Sequence, residues 1–129
     1  MSEFGKYLSI ATGGALGAIA RYTIGLLPLA RWGAPFPTGT FLINVTGSFI
    51  LGFFLTLTGE YVQVPENFRL AVGVGFVGAY TTFSTFEFET AKLLEIRDFT
   101  RAGLYVALSV LVGFAAVYLG AALARRLFA

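Results

Sequence analysis

Residues 73–88 decide how the chain is interpreted, and they read G-V-G-F-V-G-A-Y-T-T-F-S-T-F-E-F. Three glycines precede a cluster of hydroxyl-bearing residues at positions 80–85, and Phe83 and Phe86 lie three residues apart within that cluster. A plain apolar span would carry Leu and Val here. Backbone groups freed by a helix break are tolerated at membrane depth only where they face protein or a polar cavity. The stretch therefore predicts a helix that is broken at residues 78–81 and lines such a cavity.

The composition places this stretch in a membrane protein. The 129 residues are 57% hydrophobic and 12% charged, with a mean hydropathy of +0.78, whereas soluble domains carry about 25% charge. Since one crossing needs about 20 apolar residues, the length predicts an all-α protein of four transmembrane helices in a single domain, residues 1–129. The absence of Cys and His excludes thiolate or imidazole catalysis and Cys/His zinc sites. The net charge of +2 does not indicate nucleic acid binding, and no residue set indicates an enzyme.

Four spans are predicted, with short connections between them. They cover residues 4–29, 38–59, 68–94 and 102–124, and the third contains the break. Residues 18–20 also resemble the cleavage site of a signal peptide. That interpretation is weaker, because the first six residues form a poor basic region and cleavage would discard one of four similar spans.

The first span carries Gly13, Gly17 and Arg21 on one helix face. Small residues at this spacing let a second helix approach closely. Arg21 is a basic residue well inside an apolar segment, which makes it a functional candidate. Two alternatives stay open: Arg21 extends to the membrane interface, or it caps carbonyl groups freed by the break in the third span.

Polar residues recur every four positions in the second span, at Thr40, Asn44 and Ser48, and so share a helix face. An unpaired buried amide costs several kcal/mol. Asn44 must therefore meet a ligand or bond to another helix.

The later spans add further candidates. Beyond the break, one helix face carries Thr82, Thr85, Phe86 and Glu89. Glu89 either guards an entrance or is an ordinary carboxylate near a helix end. In the fourth span Tyr105 and Ser109 lie one turn apart, which suggests a cavity wall, although Tyr105 alone also suits an aromatic belt at the interface.

The basic residues do not choose an orientation. One side of a four-span chain would hold Lys6, Arg69, Arg125 and Arg126, and the other Arg31, Lys92, Arg97 and Arg101. Because the two sides carry equal numbers of basic residues, the positive-inside rule predicts no single orientation. The sequence thus predicts insertion in both orientations and an antiparallel, dual-topology homodimer with its two-fold axis in the membrane plane.

Three motifs resemble the Fluc or CrcB family of bacterial fluoride channels. They are G-G-A-L-G-A-I-A-R-Y at 13–22, G-T-F-L-I-N-V-T-G-S-F at 39–49 and G-A-Y-T-T-F-S-T-F at 78–86. The resemblance covers essentially the whole chain. It implies a multi-pass protein of the bacterial inner membrane that exports cytoplasmic fluoride passively. It further implies two pores at the dimer interface and a sodium ion at the dimer centre, held by the backbone carbonyls of Gly78 and Thr81.

The resemblance also assigns side chains to these pores. Asn44, Phe83, Phe86 and Ser109 match the family's pore positions, Thr40 and Tyr105 are their near neighbours, and Glu89 resembles an acidic residue near a pore mouth. These residue types suit fluoride, because neutral donors can replace its water while a fixed cation would hold it too tightly. Further donors are the hydroxyls of Thr82, Ser84 and Thr85, and phenyl rings add a partly positive edge. Carbonyls exposed by the break suit a small hard cation, so the sodium is expected to be structural and not transported.

Two other functions compete with a channel. A proton-coupled exporter of small cations, as in the small multidrug resistance transporters, needs an exchangeable carboxylate in the membrane; the first span offers Arg21, and Glu89 lies toward a helix end. A non-conducting scaffold would explain the small residues of the first span. It would leave the polar face of the second span unexplained.

Overall fold

The computed structural model describes residues 2–129, and these residues form helices and connections without a strand. This confirms the all-α prediction. Helix α1 covers Glu3–Gly25, and α2 covers Thr38–Tyr61, of which the last turn, Leu57–Tyr61, is a π-helix. Helix α3 covers residues 66–80 and is largely π-helical, α4 covers Phe83–Glu95, and α5 covers Phe99–Phe128.

The helix ends differ from the predicted ends for local reasons. Helix α1 stops at Gly25 and not near residue 29, because Pro28 restricts Leu27 to an extended conformation (φ −69°, ψ 147°). A short 3₁₀ turn, Pro28–Arg31, follows. The third segment begins directly after Pro65, two residues earlier than predicted. Helix α5 extends beyond the predicted 102–124 at both ends and is capped by Asp98.

Two helices, Thr38–Tyr61 and Phe99–Phe128, are long and apolar enough to cross a membrane. Helix α1 has 23 residues but carries Glu3, Lys6 and Arg21. Neither α3 nor α4 alone reaches the about 20 residues that a crossing requires. The prediction of four crossings therefore needs α1 as one crossing and α3 with α4 in series as another.

Close contact between α1 and α3 confirms the predicted role of the small residues. Gly13 and Gly17 are buried. A methyl group at Gly13 would overlap the carbonyl of Ala71, and one at Gly17 would overlap the carbonyl of Phe76. This contact holds α3 against α1 up to the point where α3 ends.

Helices α2 and α5 approach in the same manner. A methyl group at Gly52 would overlap the Val117 carbonyl, and one at Gly120 would overlap the Phe49 carbonyl. At the end of this pair, Glu60 and Arg125 form two hydrogen bonds of 2.8 and 3.1 Å. Helices α2 and α5 are therefore closely packed along their length, and residues of both line a groove with the end of α3.

The predicted interruption is present, at Thr81 and Thr82. Both residues are extended, with φ/ψ of −81°/156° and −149°/111°. Helix α4 restarts at Phe83, and the Thr82 hydroxyl caps it by accepting from the Thr85 amide at 3.2 Å. Gly78 itself is helical (φ −61°, ψ −36°). The break therefore uses the capping chemistry of threonine and not the conformational freedom of glycine.

Candidate functional site

Asn44 on α2 holds the interrupted backbone through two hydrogen bonds. Its amide oxygen accepts from the Thr82 N–H at 2.8 Å, and its amide nitrogen donates to the Thr82 carbonyl at 3.1 Å. One side chain thus satisfies two backbone groups of the break, each of which would be costly to leave unpaired. An amide nitrogen carries two N–H groups, and the second N–H of Asn44 has no partner within residues 2–129. Asn44 therefore bonds between segments, as one alternative predicted, and still has a donor for a ligand.

Arg21 on α1 also contacts the end of α3. Its Nε donates to the Ala79 carbonyl at 3.1 Å, so the carbonyl-capping alternative is the one that the structure supports. The guanidinium therefore bonds to the backbone next to the break.

A groove of about 310 Å³ lies on the α5 side of the break, and we call it the Asn44 groove. Its lining carries no charged residue. The polar members are Asn44, Ser48, Thr81, Thr82 and Ser109; the others are Gly47, Leu51, Val77, Phe83, Phe86, Val110 and Val117. The groove gathers five of the predicted pore residues and one sodium-site residue on a single surface.

Ser109 is the least satisfied polar residue in the Asn44 groove. Its Oγ is buried and has no hydrogen-bond partner in the described part of the chain. A buried hydroxyl without a partner costs about 1–3 kcal/mol, and most such groups in folded proteins have one. The Ser109 hydroxyl is therefore free to donate to a bound ligand.

The two predicted phenyl rings lie together at this groove but differ in exposure. The ring centroids of Phe83 and Phe86 are 5.8 Å apart, and the planes are tilted by 46°. Phe86 is buried, with its ring roughly perpendicular to that of Tyr105 at 5.0 Å. Phe83 is 73% exposed, so a single chain leaves one of the two rings uncovered.

A second groove, of about 330 Å³, lies on the α1 side of the break, and we call it the Glu89 groove. It contains both charged candidates, Arg21 and Glu89. Its other residues are Tyr22, Gly25, Leu26, Ala30, Pro37, Gly39, Thr40, Ile43, Thr82 and Thr85. The Thr40 hydroxyl donates to the Glu89 carboxylate at 2.5 Å. Thr82 lines both grooves, so the extended residues form the boundary between them.

Three predicted residues lie elsewhere. Ser84 is exposed, and its hydroxyl is 3.5 Å from that of Thr82. Tyr105 is fully buried under the rings of Phe36 and Phe86 and lines neither groove. The expectation that Tyr105 and Ser109 share a cavity wall therefore holds for Ser109 and not for Tyr105. Gly78 lies in the last turn of α3, outside both grooves.

The end of α3 has carbonyl groups that suit a cation. In a continuous helix the Thr82 N–H would bond to the Gly78 carbonyl, but here it donates to Asn44. The carbonyls of Gly78 and Thr81 accept no hydrogen bond from any described residue. Within residues 2–129 no group of three His, Cys, Asp or Glu side chains could hold a metal. The oxygens available to a hard cation at the break are therefore backbone carbonyls.

The sequence interpretation missed one contact at the break. The hydroxyls of Thr46 and Tyr80 are 2.8 Å apart. Thr46 lies two residues after Asn44 and so off the polar face that the four-residue spacing defined. No local pattern indicates which of the other segments it meets.

Comparison with known proteins identifies the family and relatives of this chain. Residues 8–121 match the family described as CrcB-like protein, Camphor Resistance (CrcB). A "Fluoride-specific ion channel FluC" of Acidobacterium capsulatum is 48% identical over 124 residues, which cover 96% of this chain and 99% of the relative. The proteins of that name from Solibacter usitatus and a Caulobacter species are 48% and 42% identical, over 94% and 95% of this chain and 99% and 97% of the relatives. These relatives are named as ion channels and not as enzymes. The family match covers most of the chain, and these relatives are nearly equal to it in length. This chain therefore belongs to the CrcB family.

Proposed function

We propose that this chain is a fluoride-selective channel through which cytoplasmic fluoride leaves the cell passively. The relatives carry that activity in their names. One observation on this chain supports the proposal most directly. The buried, unpartnered Ser109 hydroxyl lies in the same uncharged groove as the free N–H of Asn44.

Neutral donors meet the main demand of fluoride permeation. The ion is small and strongly hydrated, so it enters a pore only where hydrogen-bond donors replace its water. Asn44, Ser109 and the hydroxyls around Thr82 are such donors, and the edges of Phe83 and Phe86 add weak attraction. Because none of these groups carries a charge, the ion is also released again.

A second copy of the chain completes each pore. The Asn44 groove is open, and Phe83 at its edge is 73% exposed. An antiparallel partner would close the groove, and the two-fold symmetry would create two pores. Each chain crosses a bacterial inner membrane four times as one domain, through α1, α2, α3 with α4, and α5. The evenly balanced basic residues allow both orientations.

A structural sodium ion at the dimer axis would use the free carbonyls of Gly78 and Thr81. Two chains supply four such oxygens, and the ion would supply a positive charge that lowers the barrier for a nearby anion. The residues of each chain position these oxygens and keep water from replacing them.

Anion efflux from liposomes tests the channel function. Vesicles that contain the purified protein should lose fluoride rapidly when the membrane potential is dissipated, and chloride almost not at all. Phe83→Ile and Phe86→Ile should slow the loss strongly, whereas Phe114→Ile, an exposed ring on α5, should not. Equal loss of both anions, or unchanged efflux in both phenyl variants, would refute the proposal.

The same vesicles address topology and the exporter alternative. Because the chain has no cysteine, a single cysteine added near one terminus should react with an impermeant maleimide from both sides of the membrane in about equal amounts. Labelling from one side would contradict dual topology. A requirement of efflux for a proton gradient would favour the exporter; we expect none, because a passive pore needs no coupling carboxylate.

A further inference from the structure

We propose that Tyr80 is a positioning residue for the central cation: its hydrogen bond to Thr46 fixes the last turn of α3 and thereby sets the affinity for sodium. The proposal rests on the sodium site put forward above and assigns a role to two side chains outside the fluoride pathway.

Tyr80 is the last residue of α3 and is held on several sides. It is 5% exposed. Its ring stacks on Phe76, with centroids 5.8 Å apart and planes inclined by 11°. A methyl group at Gly47 would collide with the Thr81 methyl and press on the Tyr80 ring, so α2 and the end of α3 are in close contact here.

The direction of the Tyr80–Thr46 hydrogen bond follows from counting protons. A threonine hydroxyl has one proton, and Thr46 donates it to the Leu42 carbonyl at 2.7 Å. The Tyr80 hydroxyl therefore donates to Thr46 Oγ1 at 2.8 Å. Thr46 is fixed to its own helix by the bond to Leu42, so Tyr80 is bonded to a rigid acceptor.

The free carbonyls of Gly78 and Thr81 flank Tyr80, whose own carbonyl likewise accepts no hydrogen bond from any described residue. Of the neighbouring carbonyls, that of Val77 accepts from the Thr81 N–H and hydroxyl at 3.0 and 2.9 Å, and that of Ala79 accepts from Arg21. Gly78 and Thr81 thus keep unpaired oxygens two residues before and one residue after the tyrosine. Tyr80 lies between these two carbonyls in the chain, so its side chain fixes the segment that connects them.

Two contacts from α2 therefore define the break, one on each side. Asn44 holds the peptide of Thr82, and Thr46 holds the side chain of Tyr80. The first faces the Asn44 groove, whereas neither Tyr80 nor Thr46 lines it. Loss of the second contact should loosen the carbonyls and leave the donors of the anion pathway in place.

Sodium-dependent thermal stabilisation of the full chain in detergent tests this role. Sodium chloride is titrated against choline chloride at constant ionic strength, and the sodium concentration at half-maximal stabilisation is compared among variants. Tyr80→Phe and Thr46→Val should each raise this midpoint about three- to tenfold, as expected for one lost hydrogen bond. Thr46→Ser, which keeps the acceptor, should leave it unchanged.

Two further variants separate this coupling from general destabilisation. The double variant Tyr80→Phe/Thr46→Val should shift the midpoint no further than either single variant, because both remove the same bond. Tyr118→Phe removes the hydroxyl of an exposed tyrosine on α5 and should have the wild-type midpoint. If Tyr80→Phe does not fold, Thr46→Val provides the same test.

The outcomes distinguish this inference from the proposed function. A wild-type midpoint in both Tyr80→Phe and Thr46→Val overturns the positioning role alone. Absence of any sodium response in the wild-type protein overturns the sodium site and this role together. Neither result affects the fluoride efflux measured in liposomes.

Discussion

The two grooves that meet at Thr82 differ in charge. The Asn44 groove is lined by uncharged residues, and its Ser109 hydroxyl has no partner in the described chain. The Glu89 groove contains a guanidinium and a carboxylate, and both are engaged: Arg21 bonds to the Ala79 carbonyl, and Glu89 accepts from Thr40. The donors of Asn44 and Ser109 therefore lie on one side of the break, and the two charged side chains lie on the other.

This difference shows how one fold separates the attraction of ions to the protein from their passage through it. A charge in a wide groove concentrates ions over a Debye length of about 10 Å at 0.1 M salt and does not need to touch them. A donor works only in direct contact, where a fixed charge would trap the ion. The comparison predicts that substitutions in the Asn44 groove act on permeation itself. Substitutions in the Glu89 groove should act partly through salt-dependent ion concentration.

The largest effect is expected for Asn44→Asp, which puts a charge into the uncharged groove. The carboxylate can still accept from the Thr82 N–H but cannot donate to the Thr82 carbonyl or to an anion. Two like charges about 4 Å apart repel by about 4 kcal/mol at an effective dielectric constant of 20. Fluoride efflux from liposomes should therefore fall by at least about 100-fold.

Asn67→Asp is the matched control, because Asn67 lies in the first turn of α3 and lines neither groove. Its efflux should stay close to that of the wild type. If Asn44→Asp conducted as well as this control, the Asn44 groove would not be the path.

Arg21→Gln should give the next largest effect, since it removes the positive charge of the Glu89 groove and replaces the Nε donor to the Ala79 carbonyl with a shorter, neutral amide. A hydrogen bond to a charged group contributes about 1.5–3 kcal/mol. We expect fluoride efflux to fall about tenfold at low ionic strength, with a smaller deficit at high ionic strength because salt screens the lost charge.

Arg31→Gln removes the same charge from the exposed turn after α1, where residues 2–129 give Arg31 no ion-pair partner. This variant should conduct like the wild type. Equal efflux in the two arginine variants at every salt concentration would show that the positive charge in the Glu89 groove has no role in permeation.

Ser109→Ala should slow fluoride efflux severalfold without lowering stability. The buried hydroxyl makes no hydrogen bond within the described residues, so its removal should leave the free energy of unfolding unchanged or raise it. A contact to the ion contributes about 1 kcal/mol. Ser9→Ala, which removes a hydroxyl bonded to the Gly5 carbonyl, should not alter efflux. A stability loss without a conduction loss would make Ser109 a structural residue.

The sequence predicted those features of the fold that depend on local chemistry. The break was predicted at residues 78–81 from the residues of that stretch and occurs at Thr81 and Thr82, and the close helix approach follows from Gly13 and Gly17. Both are present in the structure. The end of α1 was predicted four residues too late, because Pro28 restricts Leu27 to an extended conformation and the helix stops before it.

Contacts between segments could not be predicted in the same way. The hydrogen bond from Arg21 to Ala79 joins residues 58 positions apart, and the one between Tyr80 and Thr46 joins residues 34 positions apart. Tyr105 shows the same limit. Its spacing from Ser109 suggested a shared wall, but the ring of Phe86 covers it, and only the angle between α4 and α5 determines that.

The smallest effect is expected at Asp98, a carboxylate outside both grooves that caps α5. It accepts from the Arg101 guanidinium at 2.8 Å and from the Arg101 N–H at 3.1 Å, and these bonds hold the pKa of Asp98 below its ordinary value of 3.8. A lowered pKa means that the stabilisation is complete above 3.8 and is lost as the pH falls through the value in the folded protein. Thermal unfolding in detergent should therefore show that part of the acid destabilisation of the wild type is absent in Asp98→Asn, which still caps the helix. Fluoride efflux of this variant at neutral pH should equal that of the wild type, because the charge it removes lies in neither groove. A slowing comparable to that of Ser109→Ala would show that charge outside the Glu89 groove also controls permeation, and the division between the two grooves would no longer hold.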